Sequence, residues 1–144
     1  MIKKAGKKDS VVLASMATKI WNIDSVSELT KEFEEMIDDP DTVCFIKFVD
    51  DNPVGFANAS LRHDYVEGTE TSPVGYLEGI FVEEDFRLQN IGRDLVKSCE
   101  TWAKEKGCAE FASDCVLDNT ESLIFHLKVG FIEANRIICF IKQI

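Results

Sequence analysis

One strand–helix–strand unit in the second half of the chain constrains the fold more than any other feature of the sequence. From Asn90 to Lys106 the apolar residues Leu95, Val96, Cys99, Trp102 and Ala103 form one helical stripe, and Gly107 supplies the stop. The helix is entered from one apolar run, Val74 to Val82, and left into another, Cys108 to Ser113. Two strands joined by a crossover helix run parallel in one sheet, and such crossovers are right-handed.

The preceding residues have a different rhythm. Ile2 to Lys4 reads as a short first strand. Asp9 or Ser10 caps a helix that ends near Trp21, and Ser25 opens a second that Asp38-Asp39-Pro40-Asp41 breaks. Thr42 to Val49 and Val54 to Arg62 are strands joined by the turn Asp50-Asp51-Asn52-Pro53, and a polar loop from Asp64 to Pro73 leads into Val74. Short turns between strands predict an antiparallel meander. After the crossover, Asp118-Asn119 caps a helix running to about Lys128, and Val129-Gly130-Phe131 turns into an expected final strand pair ending at Ile144. The predicted class is therefore α/β (α+β): a mixed central sheet with an antiparallel N-terminal half and a β-α-β second half. The 144 residues form one domain, 1–144, with no repeat or linker.

Charge narrows the partners. Sixteen Lys and Arg against 26 Asp and Glu leave a net charge of −10. Nucleic acid and anionic membranes want a basic face, so neither is expected, whereas a cationic ligand is permitted. No apolar run approaches a membrane span, and no signal-peptide h-region follows the basic start. The five cysteines contain no C-x-x-C pair, and neither histidine stands at zinc-binding spacing. No metal is expected. The cysteines read as reduced, mostly buried small hydrophobes of a cytoplasmic protein.

The segment Val82 to Arg93 carries the chemistry of the crossover. A strand ends, a polar loop follows and a helix begins at once, which places unpaired N–H groups at a helix N-terminus that favours anions. Arg87 and Arg93 flank this turn and can add charge-assisted bonds to phosphate.

The same segment resembles the acetyl-CoA signature of the GCN5-related N-acetyltransferases, Arg/Gln-x-x-Gly-x-Gly/Ala. Arg87, Asn90 and Gly92 stand at its fixed positions, with Asn90 where glycine is usual. The stretch from Asn119 to Phe131 resembles the later helix of these enzymes, with His126 in place of a common Tyr. The run from Tyr65 to Val82, with Trp21, Trp102-Ala103-Lys104 and Glu110 to Asn119, is similar to the aminoglycoside 6′-N-acetyltransferases.

The resemblance implies the GNAT fold, acetyl-CoA as co-substrate, and transfer of its acetyl group to the 6′-amine of a polycationic drug in a ternary complex. Trp21, Tyr65, Glu78 and Asp114 correspond to acceptor-binding positions. Glu78 or Asp114 would take the ammonium proton, and Tyr65 or His126 would protonate the departing thiolate. Backbone N–H groups near Ile80, Phe81 and Val82 would hold pantetheine and polarise the thioester. Asn119 matches a pantetheine-binding position, and the turn Arg87, Leu88, Gln89, Asn90, Ile91, Gly92, Arg93 would hold the pyrophosphate. A further acceptor carboxylate of the family falls at Asn135 here. The family commonly forms homodimers through its C-terminal strands. The alternatives are another amine acceptor, such as a polyamine or a protein N-terminus, and a non-catalytic acetyl-CoA- or drug-binding module.

Overall fold

Five strands form one sheet in sequence order: β1 (Ile2–Lys4), β2 (Thr42–Val49), β3 (Asn52–Arg62), β4 (Val74–Val82) and β5 (Phe111–Ser113). The first four pair antiparallel and the last pair, β4 with β5, is parallel, as the crossover requires. Helices α1 (Ser10–Ala17) and α2 (Val26–Asp38) cover one face of the sheet, and α3 (Ile91–Glu105) and α4 (Thr120–Lys128) cover the other. The computed structural model describes residues 1–21 and 25–144.

Local chemistry explains most boundaries. In the β2–β3 turn Asp50 and Asp51 both have positive φ (49° and 64°), the conformation of a two-residue type I′ hairpin whose twist matches the strands. Asn52 and Pro53 therefore belong to β3, not to the turn. Pro53 is tolerated because it stands opposite Phe48, whose N–H and C=O both bond Met1 on the other side, so this pair exchanges no ladder bond and the missing N–H is not called for. The Ser25 side chain accepts the Glu28 N–H and starts α2. Both α3 and α4 stop in Schellman motifs at Gly107 and Gly130. In each, a 6→1 bond (Cys108 N to Ala103 O, Phe131 N to His126 O) closes the left-handed turn.

Each face of the sheet has its own core. Leu13, Leu29, Phe33, Ile46 and Phe56 are fully buried between the sheet and α1–α2. Leu95, Val96, Cys99, Trp102 and Ala103, the predicted stripe, pack on Val43, Ala57, Ala59 and Leu77 on the other face. Fully burying one such side chain contributes roughly 1.5–3 kcal/mol, so the crossover helix is held by its stripe more than by propensity.

Two expectations need correction. The strand at 108–113 shortens to Phe111–Ser113. The final strand pair does not form: after Phe131 the chain runs without ladder bonds to Ile144, leaving Ile132, Ile137, Ile138, Phe140 and Ile141 at 66–95% exposure. A β-branched run has strand propensity, but a strand exists only when its N–H and C=O groups find a partner edge.

Candidate active site

The ladder between β3 and β4 pairs Ala59 with Leu77 and then Asn58 with Gly79, so Glu78 is the extra residue of a β-bulge. Bulges re-aim the side chain at the kink. Here Glu78 is turned to the α1–α2 face and lines a cavity of about 400 Å³ with Trp21, Glu32, Met36, Asn58 and Ser60. Trp21 forms the aromatic wall, stacked on Phe33 with ring centroids 6.2 Å apart. Gly79 has no room for a side chain, because a Cβ there would lie 2.8 Å from both Asn58 Oδ1 and the Trp21 ring. Asn58 Oδ1 is buried against this wall with no hydrogen-bond partner among the described residues.

Glu78 is held firmly. Ser60 Oγ donates to its Oε1 at 2.6 Å, and the Arg62 guanidinium spans both carboxylate oxygens at 2.9 Å. Arg62 in turn lies over the Tyr76 ring, 3.4 Å from its centroid, and the Tyr76 hydroxyl donates to Asp114. Burial, reinforced by the Asp114 bond, pushes the Tyr76 hydroxyl above its usual titration range, so it stays a donor. The two carboxylates singled out in the sequence are thus joined through Arg62 and Tyr76. Tyr65 stands apart at 76% exposure, on the loop that joins β3 to β4. That loop is tied down by Glu110, whose Oε1 accepts the N–H groups of Glu70 and Thr71 at 2.9 and 2.8 Å and the Thr71 hydroxyl. These bonds hold the Glu110 carboxyl below the usual range. Asn135 donates to Glu67 of the same loop at 2.9 Å.

A second opening lies beside the bulge. β5 pairs with β4 only at Gly75, Tyr76 and Leu77, while β4 continues to Val82. From Glu78 through Ile80, Phe81 and Val82, β4 has no strand partner on its β5 side. At the far end of the opening α3 begins. Leu88 and Asn90 both take the left-handed conformation (φ 62° and 64°), and the first main-chain bond into the helix runs from Asp94 N to Asn90 O. Among the described residues the N–H groups of Gln89, Asn90, Ile91, Gly92 and Arg93 have no intramolecular partner. They form a nest of donors at a helix N-terminus, suited to a diphosphate.

The remaining candidates have structural duties here. Arg87 Nε donates to Val82 O at 2.9 Å, fastening the end of β4, and Arg93 donates to Lys128 O at 2.8 Å at the end of α4. Gly92 lets the helices meet, since a Cβ there would lie 2.7 Å from the Phe125 ring. Asn119 Oδ1 accepts the Ser122 N–H and caps α4, leaving its amide group free to donate elsewhere. His126 sits half-buried on the α3–α4 face. Its Nδ1 donates to Ser122 O at 2.7 Å, which leaves Nε2 facing Ser113 Oγ at 2.7 Å.

A bulged central strand, a split parallel pair and a donor nest at the crossover helix define an acyl-CoA-dependent transferase architecture. The chain belongs to the acetyltransferase (GNAT) family, whose sequence profile matches residues 13–131. It is 35% identical to the aminoglycoside N(6′)-acetyltransferase type 1 of Acinetobacter haemolyticus over 99% of this chain and 98% of that one. To the enzyme of the same name from Salmonella typhimurium it is 42% identical over 76% of each. Among solved structures it superposes with a TM-score of 0.95 on AAC(6′)-Iy in complex with the bisubstrate analog CoA-S-monomethyl-acetylneamine. That match is 34% identical, covering all of this chain and 98% of the other. The apo AAC(6′)-Ig of A. haemolyticus matches with a TM-score of 0.95 at 35% identity over 100% and 99%.

The sequence reading missed Arg62, Ser60, Tyr76, Glu32, Asn58 and Glu110. One signal was available: Asn58, Ser60 and Arg62 alternate on one face of a strand whose opposite face carries the small residues Gly55, Ala57 and Ala59. The convergence of Ser60 and Arg62 on Glu78 depends on the bulge, which no pattern announces.

Proposed function

We propose that this chain is an aminoglycoside 6′-N-acetyltransferase that acts by direct attack in a ternary complex and so confers resistance to these drugs. The observation that carries the proposal is the cavity holding Glu78, Glu32 and Trp21 beside the split between β4 and β5. An acceptor with several ammonium groups on sugar rings needs carboxylates for its charge and an aromatic face for its rings. Acetyl-CoA supplies the thioester. The unpartnered N–H groups from Gln89 to Arg93 would bind its diphosphate. Asn119 and the free edge of β4 at Ile80, Phe81 and Val82 would hold the pantetheine arm.

The chain's own groups then do three things. Glu78 and Asp114 bind the acceptor ammonium and take its proton, directly or through water, so that the neutral nitrogen can attack the carbonyl carbon. The N–H groups along the β4 edge stabilise the oxyanion as the C–N bond forms. Tyr65, on the exposed loop between β3 and β4, or His126 would deliver a proton to the sulfur as the C–S bond breaks. His126 can do so only in its doubly protonated form, because its neutral Nδ1–H is committed to the Ser122 carbonyl. Alignment of two bound substrates supplies much of the rate. Cys115 is an exposed free thiol with no hydrogen bond to a histidine or carboxylate among the described residues, so no acyl-cysteine step is invoked.

The enzyme is further proposed to be a cytoplasmic homodimer. No helix among the described residues is long and apolar enough to cross a membrane, and among them all the cysteines are free thiols. The apolar run from Ile137 to Ile141 offers unpaired backbone and exposed side chains to a second copy. The decisive assay is acetyl-CoA-dependent release of CoA thiol across an aminoglycoside panel. Kanamycin should turn over, and a drug lacking the 6′-amine should not. Turnover of spermidine without kanamycin would replace this reading with a polyamine acetyltransferase.

A further inference from the structure

We propose that Arg62 is a positioning residue for the acceptor: it fixes Glu78 for the incoming ammonium and, through Tyr76, holds Asp114 in the same frame. The inference rests on the aminoglycoside reading above and deepens it.

Arg62 ends β3, opposite Val74, on the strand face that also carries Ser60 and Asn58. The bulge leaves Glu78 without a cross-strand partner, so its carboxylate has no ladder neighbour to hold it. Arg62 supplies that restraint. Its Nε and Nη2 donate to Glu78 Oε1 at 3.1 and 2.9 Å, and Nη2 also reaches Oε2 at 2.9 Å. Ser60 completes three donors on Oε1, which leaves Oε2, with a single protein donor, as the oxygen free to receive an ammonium. The guanidinium plane is itself fixed on the Tyr76 ring, whose hydroxyl is spent on Asp114.

Only an arginine can do this. The planar fork binds a carboxylate through two nitrogens while stacking on an aromatic ring, whereas a lysine is a mobile point charge. Both members of the pair are partly exposed, with side chains 42% and 31% accessible, and pairs of that kind add little to folding. The restraint therefore acts on the geometry of the acceptor site. A further consequence concerns charge. With Arg62 in place, the carboxylate presents to the drug as half of an ion pair, so a second negative group is needed to hold a polycation. Asp114 and Glu32 stand ready to supply it.

The test is a double-mutant cycle with R62M and E78Q, read as steady-state constants for kanamycin and for acetyl-CoA. R62M should raise the kanamycin KM by about tenfold and leave the acetyl-CoA KM within about twofold. R62K should recover only part of that loss. In the E78Q background R62M should cost less than about twofold more, because a residue that acts through Glu78 has nothing left to position. Independent, multiplying effects of the two substitutions would overturn the role of Arg62, as would an unchanged kanamycin KM in R62M. Equal increases in both substrates' KM would assign Arg62 to general structure and overturn it as well. Absence of wild-type turnover with any 6′-amino drug would instead overturn the aminoglycoside reading, and this inference with it.

Discussion

At the scale of single residues the site is governed by what has no space and what has no partner. Gly92 is the clearest case. The family signature places it in the diphosphate turn, yet its missing Cβ also lets Phe125 of α4 close on the start of α3. G92A should therefore cost about 1–3 kcal/mol through overpacking, seen as a lower thermal midpoint even without ligand. A loss confined to acetyl-CoA affinity would show that the packing constraint is slack. Tyr76 gives a second prediction. Its hydroxyl titrates above the ordinary tyrosine range, chiefly because it is buried, so it donates to Asp114 throughout the working pH range. Y76F should weaken drug binding about tenfold or less, by the same factor at every pH up to about 9, as checked by binding titrations.

Elements bring these residues together. The loop from His63 to Pro73 carries Tyr65 yet forms no strand or helix, and Glu110 at the entrance to β5 ties down its second half at Glu70 and Thr71. Because the folded Glu110 carboxyl titrates below the ordinary glutamate value, its anchoring is fully present above that value. It is lost as pH falls through the lowered one. The acceptor KM should thus be level at neutral pH and rise on the acid side, while E110Q should show a raised KM already at neutral pH. Kinetics against pH for the two proteins would check this, and a wild-type profile matched by E110Q would refute it. The thiols follow their elements too. Burial pushes Cys44 up to about 12 and raises Cys99 further, so neither should react with a thiol reagent before unfolding.

For the whole molecule, the exposed C-terminal arm is the outstanding fact. Six large apolar side chains between Ile132 and Ile144 lie on the surface, a quantity that soluble monomers rarely tolerate in one stretch. Sedimentation should give a dimer, and F140D with I138D should give a monomer. Cys139, exposed in the single chain, should react more slowly than Cys115 in the dimer and comparably in that monomer. A wild-type monomer with both thiols equally reactive would remove the proposed interface. The net charge of −10 belongs to this scale as well, since it draws a polycation toward the whole surface before any particular carboxylate engages it.

The order of strands and helices up to α4, the crossover, and the turn from Arg87 to Arg93 were legible in the sequence because local rules govern them. Periodicity decides which stripe is buried, glycine decides where a helix stops, and a short motif decides where a chain can turn left-handed. Asn90 met that last demand at φ 64°, as a non-glycine residue best can. Glu78 and Asp114 could be picked out by resemblance, but their linkage through Arg62 and Tyr76 could not. It depends on a one-residue slip between β3 and β4 and on side chains from those two strands and from Asp114, just past the end of β5. The missing final strands have the same explanation. Strand propensity is a property of the residues from Ile137 to Ile141, whereas a strand is a property of two edges, and tertiary structure alone decides whether the second edge is present.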